Sequence, residues 1–163
     1  MKTLFVVHCN KNNYPMRYFI VITLFVLSLS SCQKNDDTIQ NNPFIPNIAF
    51  DTQTLINTDL PQYNNLQFPG NHIVLNNNYG LNGVVVQYSG GTNYNAFELT
   101  DPSHAISDCS KLTIQNGLAT CGCDDEKKFE IVSGQPINGT TSQYTLKRYF
   151  VEVNGNIIRV YNN

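Results

Sequence analysis

The residues able to do chemistry in this sequence are few, and most lie in one stretch. Five Cys and three His set the ceiling on metal and thiol chemistry. Between Asp101 and Asp124 lie His104, Cys109, Cys121 and Cys123, while His72 sits well upstream and His8, Cys9 and Cys32 fall near the N-terminus. No G-x-S-x-G, H-E-x-x-H or P-loop pattern occurs, so hydrolase and nucleotide chemistry find no support. Ser110 follows His104 closely, but nearness along a loop fixes no nucleophile–base geometry. Asp124-Asp125-Glu126 followed by Lys127-Lys128 reads as a solvated turn with weak capacity for Ca²⁺. No enzymatic activity is expected of such a set.

The elements that must position these residues are short strands. The segments IAF, TLI, HIVL, GVVVQY, NAFEL, KLTI, LATC, KFEIV, YTLKRYFVEV and NIIRVY are rich in Val, Ile, Tyr, Phe and Thr, which suit a pleated, half-buried surface. Between them stand PGN, NNNYG, SGGTN, QNG, SGQ, NGT and NG, all turn material. Asn154-Gly155 between alternating strands is a strong hairpin signal. No window keeps a helical period for three turns. The expectation is an all-β domain over residues 47–163, a β-sandwich or small barrel of short antiparallel strands.

The first third gives an address. Residues 18–29 form an apolar run preceded by Arg17 and followed by Ser30-Ser31-Cys32. The run is shorter than the roughly 20 residues a membrane-spanning helix needs. A positive end, a short apolar segment and small residues describe a secretory signal over residues 1–31, with Met16 an alternative start. Leu29-Ser30-Ser31-Cys32 resembles a bacterial lipobox, which implies lipidation of Cys32 and anchorage to a lipid membrane. Residues 32–46 are polar and broken by Pro43 and Pro46, the composition of a flexible tether. Lys34, Asp36 and Asp37 resemble the surface-export signals of Bacteroidetes lipoproteins. The expected location is the bacterial outer membrane, on its periplasmic or cell-surface side.

Composition narrows the partners. Lys plus Arg total 10 against 12 Asp plus Glu, and the 23 Asn outnumber all charged residues together. Cleavage before Cys32 removes three basic residues and no acid, which leaves a net charge of −5. That field repels phosphate, so nucleic acid is not an expected partner. At 41% hydrophobic with nine Tyr and nine Phe, the chain has the material for a packed core.

The stretch from about residue 80 to 161 resembles the Rieske family. A strand leads into Asp101-Pro102-Ser103-His104, Cys109 follows, and a hairpin turns at Gln115-Asn116-Gly117. A second loop, Cys121-Gly122-Cys123-Asp124, then precedes a Phe-Glu-Ile strand and two terminal strands. The resemblance implies a Rieske-like fold and one-electron transfer through a 2Fe–2S cluster held by one Cys and one His from each loop.

Carried over residue by residue, the resemblance places His104 and Cys121 at family-type ligand positions. Asp101 then stands where the first Cys is expected, and Asp124 where the second His is expected. Sixteen residues separate His104 from Cys121, close to the family's loop spacing. The resemblance also implies a disulfide between Cys109 and Cys123, reasonable in an oxidising compartment; pairing of Cys109 with Cys121 stays open. Three readings follow. The cluster is lost and the domain binds a surface partner or serves structurally. Or the cluster is altered, with two carboxylate ligands, and still serves a redox partner. Or Asp101, His104, Cys121 and Asp124 hold a single Zn²⁺ or Fe²⁺ ion.

Overall fold

A computed structural model of the chain describes residues 42–163. The expected signal segment, Cys32 and residues 33–41 lie outside the described residues. Residues 42–46, assigned from sequence to the tether, pack on the domain. Asn42 donates from Nδ2 to the carbonyl of Pro102 at 2.7 Å, and Ile45 is buried. Lys147 Nζ donates to the carbonyl of Pro46 at 2.9 Å. The partners lie 60 and 101 residues away along the chain, and composition carries no record of them.

Among the described residues ten short strands build three antiparallel sheets. In the first, β1 (Phe50–Asp51) and β2 (Ile56–Asn57) both pair with β10 (Ile157–Asn162), whose other partner is β9 (Phe150–Asn154). The second has the order β3 (His72–Leu75), β4 (Val84–Gly90), β5 (Asn93–Glu98). The third has the order β6 (Leu112–Gln115), β7 (Leu118–Cys121), β8 (Lys128–Glu130). The all-β expectation holds. A 3₁₀ turn over Pro61–Gln67 is not among the elements the sequence predicts; its Leu66 is buried and Tyr63 packs against the same core.

The continuous apolar run Val84-Val85-Val86 shows why the second sheet is central. Successive strand residues point to opposite faces, so a run without alternation means both faces are buried. Val84, Val86 and Ala96 share one core with Ile56, Ile158 and Val160 of the first sheet. Val85 and Phe97 share a second core with Leu112, Ala119, Cys121 and Phe129 of the third. Phe97 and Phe129 are fully buried there, each worth about 1.5–3 kcal/mol relative to exposure.

The third sheet is registered by its turn. Asn116 and Gly117 both have positive φ (51° and 77°), the backbone of a two-residue hairpin whose twist matches the strands it joins. Gln115 then faces Leu118, and Leu112 faces Cys121. Alternation therefore turns Ala119 and Cys121 inward, and the core end of this sheet carries a thiol.

Candidate functional site

Two loops converge at the ends of β5 and β7. After β5 the chain stays extended through buried Leu99 and Thr100, and Asp101 N donates to Ser110 O at 2.9 Å. Asp101 is fully buried. Its Oδ1 accepts from Ser103 N at 2.8 Å and from the Ser103 hydroxyl. This is the local turn an Asp before Pro favours. The turn swings His104 back over Asp101, and His104 Nδ1 faces the carbonyl of Ala105 at 2.9 Å. A carbonyl only accepts, so Nδ1 carries the proton and donates, while Nε2 turns inward.

The second loop leaves β7 at Cys121 and is closed by Cys121 N donating to Lys127 O at 2.8 Å and Glu126 N to Cys123 O at 3.0 Å. A disulfide joins Cys109 to Cys123 across the loops, with the Cα atoms 4.9 Å apart. Beside it Gly122 N donates to Cys109 O. A Cβ at Gly122 would lie 3.1 Å from that oxygen, so the close approach of the two backbones favours glycine. The pairing of Cys109 with Cys121 left open by the sequence is not formed. Cys121 remains a free, buried thiol.

Four donor groups meet between the loops. Cys121 Sγ lies 3.6 Å from His104 Nε2, which lies 3.7 Å from Asp101 Oδ2. The ligand atoms of Asp101, His104, Cys121 and Asp125 all fall within 4.8 Å of one another. Three of the four residues expected from sequence are thus brought together. Asp124 is not: it is exposed, and the group is completed by its neighbour Asp125. The reason is Lys127, whose ammonium pairs with Asp125 Oδ2 at 2.9 Å and donates to Ser103 Oγ at 2.8 Å, drawing that carboxylate toward the first loop. A C-x2-D spacing holds no information about such a turn. His72 sits on β3 opposite Gln87, in another sheet.

The electrostatics are uneven. Burial pushes the Cys121 thiol up to about 11, with the nearby Asp101 carboxylate adding to it and the Cys123 N–H opposing. The hydrogen bond from Lys127 holds Asp125 below the usual carboxylate range, against a smaller opposing effect of burial. Asp101 Oδ2 is buried and accepts no hydrogen bond. Such an orphaned acceptor is uncommon inside a protein and calls for a partner.

This donor set does not fit a 2Fe–2S cluster of the Rieske kind, which takes two thiolates on one iron and two imidazoles on the other. Among the described residues the site offers one free thiol and one imidazole, because the bridge consumes Cys109 and Cys123. A two-iron cluster also separates its ligands into two pairs, whereas these four converge on one point.

No family model and no curated protein matches the chain. Among solved structures it is similar to a chain of the complex of reduced oxygenase and oxidized ferredoxin in carbazole 1,9a-dioxygenase. That match has 25% identity and a TM-score of 0.38, over 57% of this chain and 82% of that one. The ferredoxin of carbazole 1,9a-dioxygenase from Nocardioides aromaticivorans IC177 matches at 20% identity and a TM-score of 0.34, over 57% and 86%. The Escherichia coli protein NirD matches at 15% identity and 0.34, over 58% and 86%.

Proposed function

We propose that this chain is a lipid-anchored, extracytoplasmic protein whose Rieske-like domain no longer holds a 2Fe–2S cluster and acts as a binding or structural module. The observation that carries this reading is the ligand count. With Cys109 and Cys123 bridged, two irons would have to share Cys121 and His104. The remaining donors are carboxylates, hard oxygen ligands poorly matched to iron–sulfide chemistry. The domain then has no electron carrier of its own, and its partners are the membrane, through acylated Cys32, and a protein at the bacterial surface.

Anaerobic purification of the full chain, with absorbance, EPR and an iron and sulfide assay, tests the reading. Colourless protein without iron or sulfide is expected. Two irons and two sulfides per chain, lost on Cys121→Ser, would overturn it. Mass spectrometry checks the anchor: a diacylglyceryl mass on Cys32 is expected, and an unmodified mature N-terminus would remove the membrane from the proposal.

A further inference from the structure

We propose that Asp101, His104, Cys121 and Asp125 bind a single divalent transition-metal ion, with Zn²⁺ the best match to the donors. The inference rests on the reading that these loops hold no two-iron cluster, and names what the same site takes instead. Three observations carry it.

The first is geometry. A tetrahedral ion with bonds of about 2.0–2.3 Å sets its ligand atoms about 3.3–3.8 Å apart. Cys121 Sγ to His104 Nε2 is 3.6 Å and His104 Nε2 to Asp101 Oδ2 is 3.7 Å, with Asp125 closing the group within 4.8 Å. The second is Asp101 Oδ2, wholly buried, without a hydrogen bond, and aimed into the group. The Asp101 side chain is held by Ser103 through Oδ1 alone, which leaves Oδ2 for a ligand bond. The third is the shell behind the donors. His104 Nδ1–H donates to the Ala105 carbonyl, the arrangement that fixes a metal-binding imidazole with its Nε2 lone pair forward. Lys127 braces both carboxylate loops through Asp125 and Ser103. Its positive charge balances the net −1 that two carboxylates and a thiolate leave on a divalent ion.

Donor chemistry selects the metal. Mixed sulfur, nitrogen and oxygen ligands in a four-coordinate arrangement suit Zn²⁺, whereas Ca²⁺ and Mg²⁺ take oxygen alone. Asp101 and Cys121 are buried, but the side chains of His104 and Asp125 are 26% and 39% exposed, so an ion reaches the group from the solvent side. Four protein ligands leave no open position, the mark of a structural rather than a catalytic site.

The test uses the full chain, purified anaerobically in detergent and stripped with a chelator. Zn²⁺ is titrated against a competing chelating dye, and Co²⁺ is followed by absorbance. One ion per chain is expected, with tetrahedral cobalt bands and a thiolate-to-cobalt charge-transfer band that Cys121→Ser abolishes. Asp125→Asn and His104→Ala should each weaken Zn²⁺ by about tenfold or more, while Asp124→Asn leaves the affinity unchanged. Asp125 is partly exposed, so loss of binding there is not loss of fold; near-ultraviolet circular dichroism confirms it. Protein that is free of iron and sulfide yet takes up neither Zn²⁺ nor Co²⁺ at micromolar concentration overturns this inference and leaves the proposed function standing. Binding that Asp125→Asn and His104→Ala do not weaken also overturns it. Two irons and two sulfides in the purified chain sink the underlying reading instead.

Discussion

Glu98 and Asp101 are three residues apart, equally buried, and treated in opposite ways. Glu98 closes β5, and both of its oxygens are saturated. Oε2 accepts from Leu81 N at 2.8 Å and from the Tyr149 hydroxyl at 2.5 Å; Oε1 accepts from Asn82 N at 2.9 Å and Thr100 Oγ1 at 2.8 Å. Asp101 has one oxygen held by its own turn and the other with no hydrogen-bond partner. A buried polar group that is fully bonded fastens a fold, and one left open is destabilising unless something binds it. The difference separates a carboxylate that serves the structure from one that waits for a ligand.

The sharpest test of the contrast is Glu98→Gln. Gln keeps the size but replaces one acceptor by a donor, so whichever oxygen goes, two buried donors face an N–H₂ group. We expect a loss of about 3–5 kcal/mol in urea unfolding. Tyr149 would feel it first, since burial and then the Glu98 carboxylate keep its hydroxyl well above the usual phenol range. If Glu98→Gln unfolds no more easily than the parent, the saturated carboxylate is not a fastening and the comparison fails.

The second test concerns what holds each residue in place. Glu98 is fixed by its own four donors, whereas the Asp101 loop is tied down from outside, by the Cys109–Cys123 bridge and by Asn42 on Pro102. Replacing both bridged cysteines by Ser should lower stability by about 3 kcal/mol for a loop of this length. Hydrogen exchange should quicken in residues 101–110 and 121–127 and stay slow around Glu98. Uniform acceleration across both regions would mean that the two carboxylates share one cooperative support.

How much of this was legible beforehand follows the same division. Most strands were readable because burial imposes a period of two, and the Asn116-Gly117 turn fixed the pairing of β6 with β7; at the last hairpin Asn154 pairs with Ile157, so the two turn residues are Gly155 and Asn156, one position beyond the Asn154-Gly155 read from sequence. Residues 144–149, read from sequence as the first half of a long strand, are not one. They lie beside β5 through Lys147 O, the Phe97–Arg148 bridge and Tyr149 N, but β-ladder pairing begins only at Phe150. Their strand-type composition was real, but Leu146 and Lys147 are both buried, so no period of two is kept, and the partner that would have completed a ladder was not a local property. At the site, Asp101, His104 and Cys121 could be placed because each stands at or just beyond a strand end. Asp125 could not, because the contact of Lys127 with both loops selects it over Asp124. The pin formed by Glu98 and Tyr149 spans 51 residues of sequence and left no local trace.

The third test inverts the usual sign of a core mutation. Asp101→Asn keeps Oδ1 for Ser103 and puts a donor where the orphaned oxygen was, facing the His104 Nε2 lone pair. Metal-free protein should become more stable by about 1 kcal/mol. Added Zn²⁺ should reverse the order, since the parent gains about 2.7 kcal/mol at a hundredfold excess over its dissociation constant and the variant gains little. Thermal unfolding with and without Zn²⁺ reads both halves. A variant less stable than the parent under metal-free conditions would show that Asp101 is a fastening like Glu98.

The smallest effect lies on the exposed face of the first sheet, where carboxylates have water to turn to. Arg159 meets Asp51 at 2.7 Å and Glu152 at 2.9 Å. Its hydrogen bonds hold Asp51 below the usual carboxylate range, and the Tyr161 hydroxyl together with Arg159 does the same for Glu152. A carboxylate whose folded value is depressed contributes stability above its unfolded value, and that contribution fades as pH falls through the folded one. These groups are open to solvent, so side-chain freedom and salt erode the gain. Arg159→Met should therefore separate only slightly from the parent at pH 7, and the two Tm curves should converge as pH falls through the depressed folded values of Asp51 and Glu152, where these carboxylates take up protons. Raising the salt concentration at pH 7 should narrow the gap, whereas the Glu98→Gln deficit should persist, because solvent and ions do not reach a saturated buried group. A surface substitution as damaging as Glu98→Gln, or a gap indifferent to pH and salt, would show that burial is not what gives these carboxylates their different weights.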